Sequence, residues 1–283
     1  MKHAIVCLSR GYPDLPGYDA LINRNHCIYN AFYSLLPDKD QYDVIIFHEG
    51  NITADHQHYI RSRAPDLPIV FKPVEFLNIT ATNSLCPPTP LSESFSIGYK
   101  NMCLFWSVRF FDFLKDYEYV VRIDEDCNLL EMSPSILADY KRKGVCFSTP
   151  FFQERDLKDV TLGMESLFNS FMRENGLPPV RKQVNRCPYT NVMIVNIPYF
   201  REHSIMQRLL ERIVESQCVF SNRWGDLAIW GYILLYLIDR NRYIEDSAIS
   251  YSHGSHGNKR INGPLFGVIS RCKRLFRWLR PMP

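Results

Sequence analysis

Three acids in a row, Asp124-Glu125-Asp126, close the apolar run Tyr119-Val120-Val121-Arg122-Ile123. If that run is a buried strand, the carboxylates stand at its carboxyl end, where open α/β sheets place their ligands. Asp124 and Asp126 offer hard oxygen ligands that suit Mg²⁺ or Mn²⁺ shared with the phosphates of a nucleotide. The chemistry indicated is that of an enzyme acting on a nucleotide-activated substrate. Arg122, inside the strand, either pairs with a neighbouring carboxylate or contacts the nucleotide. A charged strand-end turn would use the same residues for nothing more than solvation.

The elements needed to hold such a site are readable. Ala4 to Ser9 reads as a first buried strand, Tyr18 to Leu36 as a helix stopped by Pro37, and Tyr42 to Phe47 as a second strand. Pro68 to Phe71 gives a third strand, and Ser96 to Leu114 carries helical periodicity into the acidic strand. Gly144 to Ser148 and Asn191 to Asn196 read as further strands, with helices from about Pro198 to Ser216 and from Asp226 to Leu237. Residues 78 to 95, with Pro87, Pro88 and Pro90, read as an irregular loop. Alternating strands and helices predict an α/β domain with a Rossmann-like mixed, mostly parallel sheet flanked by helices.

At 283 residues, 46% hydrophobic and 22% charged, the chain can bury a large core. The formal charge is +3, and five basic residues in the tail (Arg271, Lys273, Arg274, Arg277, Arg280) account for all of it: +3 less five leaves −2 over residues 1–270. A nucleic-acid-binding surface is therefore not expected. Val268 to Arg280 sets apolar and basic residues on opposite sides of a helix, which could lie on an anionic membrane surface or pack on the domain. Ala4 to Leu8 is too short for a signal-peptide core, and the nine cysteines show no C-x-x-C pair, so reduced thiols in a cytoplasmic protein are the expectation, peripheral on a membrane if the tail takes the first of its two roles. In that setting Asn51-Ile52-Thr53 and Asn78-Ile79-Thr80 match the glycosylation tripeptide by chance.

Three short blocks carry a family resemblance. Gly98-Tyr99-Lys100-Asn101-Met102-Cys103-Leu104-Phe105-Trp106-Ser107 leads into Arg122-Ile123-Asp124-Glu125-Asp126; Asn222-Arg223-Trp224-Gly225-Asp226 follows; Tyr251-Ser252-His253 comes last, with His253 27 residues after Asp226. Together they resemble the fungal α-1,2-mannosyltransferases of glycosyltransferase family 15 (Kre2/Mnt1 type), in which a tyrosine and a Met-Cys pair precede an Arg-x-Glu-Pro-Asp metal motif, followed by Arg-Trp-Gly-Asp and Tyr-x-His. The resemblance spans roughly residues 4 to 258. It implies a GT-A fold, GDP-mannose as donor, Mn²⁺ and retention of anomeric configuration. The corresponding organisation is a glycosyltransferase domain over 1–267, with 1–126 as nucleotide-binding half and 127–267 as acceptor half, followed by the tail 268–283.

The same resemblance assigns roles to individual residues. Asp124 takes the place of the family's glutamate and Asp126 that of its aspartate, with Glu125 where the family has proline. His253 is the second metal ligand or a pyrophosphate contact, with His256 as competitor. Asp226 either binds and activates an acceptor hydroxyl or caps the next helix. Trp224 offers a face to a sugar or belongs to the core, and Arg223 stands beside it among the substrate contacts. Arg10, after the first strand, matches an arginine that could contact the nucleotide, and Tyr99 matches the tyrosine near the reacting sugar. Tyr189-Thr190-Asn191-Val192-Met193-Ile194 resembles the family's aromatic-Ser-Asn-Phe-Glu-Ile, which makes Asn191 and Met193 substrate-facing candidates. Methionine replaces the glutamate proposed there as nucleophile, and a thioether cannot form a glycosyl ester. Trp230 replaces a family histidine. Partners implied are a GDP- or UDP-linked sugar and a glycan or lipid-linked acceptor; a UDP-sugar enzyme of other specificity and a non-catalytic relative stand as alternatives.

Overall fold

A computed structural model of the chain describes residues 1–180, 183–254 and 259–261. His256, the boundary at 267 and the basic tail 268–283 lie outside the described residues. The main sheet has seven strands in the order β10-β6-β9-β4-β1-β2-β3. They are β1 Lys2–Leu8, β2 Tyr42–His48, β3 Ile69–Pro73, β4 Tyr117–Ile123, β6 Phe147–Thr149, β9 Val192–Asn196 and β10 Tyr243–Glu245. β9 runs antiparallel to both β4 and β6 and every other neighbouring pair is parallel. The expected mixed, mostly parallel sheet with flanking helices is the observed one.

Period-two alternation divides the core. Ala4 and Val6 of β1 face one apolar cluster while Ile5 and Cys7 face the other. On β4, Val120 joins the first cluster and Val121 and Ile123 the second, so Arg122 is turned toward the first, beside Trp106 and the helix Asp226–Leu237. That helix has the bounds read from the sequence, whereas the helix over 96–114 forms in pieces. Ile97–Leu104 begins at Ser96, whose side chain accepts from the Tyr99 amide, and a π-helical turn spans Phe105–Arg109 before Phe110–Phe113. Within it the Ser107 hydroxyl donates back to the Cys103 carbonyl at 2.6 Å, the kind of competition that loosens a helical ladder.

A smaller sheet, not anticipated from the sequence, has the order β12-β11-β5, with β5 Cys127–Glu131, β11 Ser250–His253 and β12 Lys259–Ile261, all antiparallel. A third pairing joins β7 Phe152–Glu154 to β8 Arg186–Pro188.

The cysteine expectation fails at one pair. Cys86 and Cys218 are disulfide-bonded across 132 residues. The sequence gives no pattern for this pairing because the two thiols meet only when residues 83–87 pack on the helix Cys218–Ser221. Hydrogen bonds stitch that contact: Asn83 Nδ2 to the Ser216 carbonyl (2.8 Å), Ser221 Oγ to the Cys86 carbonyl (2.7 Å) and Asn222 Nδ2 to the Pro87 carbonyl (2.8 Å). Restricting the unfolded chain over so long a loop contributes roughly 5 kcal/mol in the chain-entropy model. Reduced thiols were the ground for a cytoplasmic setting, and that ground is removed. Among the described residues, no helix is long and apolar enough to cross a membrane.

Candidate active site

Arg122 is the hub of the site. Its Nε and Nη2 donate to Asp124 Oδ1 and Oδ2 at 2.7 and 3.0 Å, and its Nη1 donates to Asp226 Oδ2 at 2.6 Å. The guanidinium lies over the Trp106 ring at 4.5 Å from the centroid, and the residue is 3% exposed. One cation thus joins the end of β4 to the first turn of the helix Asp226–Leu237. Burial alone would lower the Arg122 pKa, but the two carboxylates raise it, so the charge is permanent. Burial pushes the Asp124 carboxyl up while Arg122 opposes the shift. Arg122 therefore pairs with carboxylates and is not placed as a cofactor contact. Nor does Asp226 cap its helix: Gly225 is the cap residue, without a side-chain hydrogen bond, and the Asp226 carboxylate takes Arg122 and Thr190 Oγ1 (3.0 Å) instead.

The second sheet brings His253 to the acids. β11 pairs with β5 so that His253 stands opposite Cys127, directly after Asp126, and the Gly254 amide donates to the Asp126 carbonyl at 2.8 Å. His253 is 6% exposed, with Nε2 3.2 Å from Asp126 Oδ2 and Nδ1 3.2 Å from the Tyr189 hydroxyl. Asn191 Nδ2 lies 3.2 Å from both Asp124 Oδ2 and His253 Nε2 and so ties the two halves of the site together. Nε2 and Asp126 Oδ2 thus stand side by side, an imidazole nitrogen and a carboxylate oxygen that one cation could share.

Among the described residues, Asp126, Cys127 and His253 form the group able to hold a metal, their donor atoms lying within 4.8 Å of one another. Asp124 lies outside that group, and Arg122 and Asn191 engage both its oxygens. Cys127 is buried, and Asp126 and His253 supply the group's oxygen and imidazole nitrogen. Such a donor set fits Mn²⁺ or Mg²⁺ completed by phosphate oxygens or water.

A third cluster flanks the hub. Arg223 sits at a left-handed φ of 60°, unusual for a residue with a side chain. It is held there by Asp156 Oδ2 (2.9 Å), by the Tyr99 hydroxyl and by the Phe95 and Tyr99 rings at 4.3 and 4.9 Å from its guanidinium carbon. Tyr99 and Arg223, widely separated in sequence, are therefore one unit beside Asp226. At the other end of the site Arg10 covers the Tyr12 ring at 5.0 Å, and the Tyr12 hydroxyl donates to Glu125 Oε1 at 2.8 Å.

Two substrate-facing candidates are corrected. Trp224 has no exposed surface and donates Nε1–H to the Leu162 carbonyl at 2.9 Å, so it is core and presents no face to a sugar. Met193, 1% exposed and paired with Arg122 across β9 and β4, shares the face of the sheet that Arg122 occupies and packs there in the first apolar cluster. Met193→Ala is accordingly expected to cost about 2–5 kcal/mol in chemical denaturation through the cavity it leaves, with a small effect on turnover of the folded fraction. Trp230, where the family has histidine, is likewise fully buried. Sequence reasoning passed over Tyr189, Thr190, Asp156 and Trp106 as partners. The polar run Tyr189-Thr190-Asn191 immediately before a buried antiparallel strand was the available signal for the first two.

No protein-family model and no curated protein matches this sequence. Solved structures do match it. Over 89% of the chain it superposes on Core-mannan synthase A (CmsA/Ktr4) from Aspergillus fumigatus in its Mn/GDP form, with TM-score 0.69, 14% identity and 74% of that chain covered. The mannosyltransferase Ktr4p from S. cerevisiae gives TM-score 0.71 and 16% identity over 89% of this chain and 70% of its own. Mouse Xyloside xylosyltransferase 1 follows at TM-score 0.52 and 15% identity, over 86% and 84%. The sequence resemblance to family 15 thus holds at the level of architecture, and the chain has the GT-A fold of these glycosyltransferases.

Proposed function

We propose that the chain is a metal-dependent glycosyltransferase that moves a sugar from a nucleotide donor to a glycan or glycolipid acceptor. Mannose from GDP-mannose, transferred with retention, is the reading we favour, on the motif resemblance and on the GDP and Mn named for the structural neighbours. The observation that carries the proposal is the Asn191 bridge between Asp124 and His253, which collects the carboxylates and the imidazole at the carboxyl end of β4. Asp126 and His253 would hold Mn²⁺ or Mg²⁺, which when bound neutralises charge gathering on the departing diphosphate. Arg10 and Asp124 lie on the side we assign to the nucleotide, in a donor half over 1–126. Tyr99 and Arg223 orient the sugar.

Residues 127–267 form the acceptor half in this reading. Both hydrogen bonds described for the Asp226 side chain land on Oδ2, so Oδ1 is the atom that accepts the acceptor hydroxyl. Arg122 fixes this carboxylate in direction. With Met193 where the family has a carboxylate, and buried, a covalent glycosyl ester has no nucleophile there; transfer on one face of the sugar within an ion pair fits these residues.

The test is thermal stabilisation by GDP and by UDP, each with and without Mn²⁺, followed by a screen of nucleotide-sugar hydrolysis. GDP with Mn²⁺ should raise the melting temperature and GDP alone should not. A response to UDP in place of GDP would change the donor and keep the class. No metal-dependent response to either nucleotide would refute the enzyme reading.

A further inference from the structure

The Cys86–Cys218 bond changes the standing of the two Asn-x-Thr tripeptides. Forming it removes two electrons and two protons from the paired thiols, and a protein disulfide of an oxidising compartment is the acceptor class required. Five of the other described cysteines (Cys7, Cys103, Cys127, Cys146, Cys187) are buried and Cys27 is half-buried, so the fold tolerates such a compartment without scrambling. In the secretory pathway of a eukaryotic cell, the same compartment carries out N-linked glycosylation.

The two tripeptides are not equivalent. Along 77–81 the chain alternates: Leu77, Ile79 and Ala81 pack against the core, while Asn78 and Thr80 are exposed. The acceptor amide and the hydroxyl two residues on therefore share one outward face of an extended segment. Asn51 and Thr53 are exposed as well, but their side-chain oxygens are engaged. Asn51 Oδ1 accepts the Gly11 amide at 3.0 Å, and a Cβ placed on Gly11 would lie 2.8 Å from Asn51 Cγ. Thr53 Oγ1 is committed to capping the helix Ala54–Arg63 by accepting the His56 amide.

We propose that Asn78 is an N-glycan acceptor site, in a chain whose fold is completed by disulfide formation in the secretory pathway. In the transfer, Asn78 Nδ2 forms the bond to the anomeric carbon of a lipid-diphosphate-linked oligosaccharide. The bond from that carbon to the diphosphate breaks, the lipid diphosphate leaves with the electron pair, and the amide proton is lost to a base of the transferring enzyme.

The full chain, directed into the endoplasmic reticulum of cultured eukaryotic cells, should show one mobility step on denaturing gels that N-glycosidase removes. Asn78→Gln and, separately, Thr80→Ala should abolish the step, and Asn51→Gln should keep it. Peptide mapping of the same material without reductant should join Cys86 to Cys218. Absence of any N-glycosidase-sensitive step, or its survival in both Asn78→Gln and Thr80→Ala, overturns the site. Free thiols at Cys86 and Cys218 overturn the compartment.

Discussion

Arg122→Ala is expected to lower the stability of the apo protein by about 3–5 kcal/mol, the cost of leaving a buried charge partner uncompensated. Two carboxylates depend on this guanidinium, Asp124 through both its oxygens and Asp226 through a 2.6 Å contact. An exposed ion pair would contribute at most about 1 kcal/mol, and the contact with Trp106 adds about 1–2 kcal/mol, so the unpaired acids dominate the loss. For a chain of this size the melting temperature should fall by roughly 10 °C. Arg122→Lys should do less damage, since it keeps the charge and loses the fork. Adding Asp226→Asn to Arg122→Ala should restore part of the loss, because it removes one of the two orphaned charges. Thermal unfolding near neutral pH checks all three. A melting point for Arg122→Ala within a degree or two of the parent would mean that the hub is not structural.

The same hub marks where sequence reading stops. The acids at the end of β4 were legible because an apolar run of buried-strand type ends in them, and the order of strands and helices was legible because helical and period-two patterns alternate along the chain. The helix beginning at Asp226 was legible from its composition, but its partner was not: Arg122 and Asp226 are 104 residues apart, and nothing local in either segment selects the other. His253 is a comparable case. Its strand, Ser250–His253, is short and polar and reads as loop, yet pairing with β5 across the chain puts the imidazole against Asp126. Trp224 was open to two readings because an aromatic beside an acid suits a sugar as well as a core; the hydrogen bond to Leu162 that decides the matter spans 62 residues. The resemblance to family 15 chose correctly which separated blocks belong together. It could not say that Met193 and Trp224 would be turned inward, since that depends on side-chain packing.

Asp126→Ala should separate function from folding more cleanly than any other change at the site. Its side chain is one-third exposed at the strand end, and the Gly254 amide bonds its backbone carbonyl, which the substitution leaves in place. The contact with His253 is lost, but the carboxylate is partly solvated, so the apo protein should still melt within a few degrees of the parent. The loss should appear in the ligand response. A nucleotide present at about 100 times its dissociation constant adds about 2.7 kcal/mol to a protein that binds it only when folded. That is roughly 5–10 °C in melting temperature, and Asp126→Ala should erase the Mn²⁺-dependent part of it, because it removes the carboxylate oxygen of this cluster, the ligand that suits a hard cation. Asp124→Ala should behave differently. It strips Arg122 of its bidentate partner, so the melting point of the apo protein should fall as well as the ligand response. Comparing the two variants distinguishes an acid that holds a metal from one that holds the site together. If Asp126→Ala keeps the full Mn²⁺-dependent stabilisation by GDP, the ion is bound elsewhere, and the pairing of Asp126 with His253 is structural.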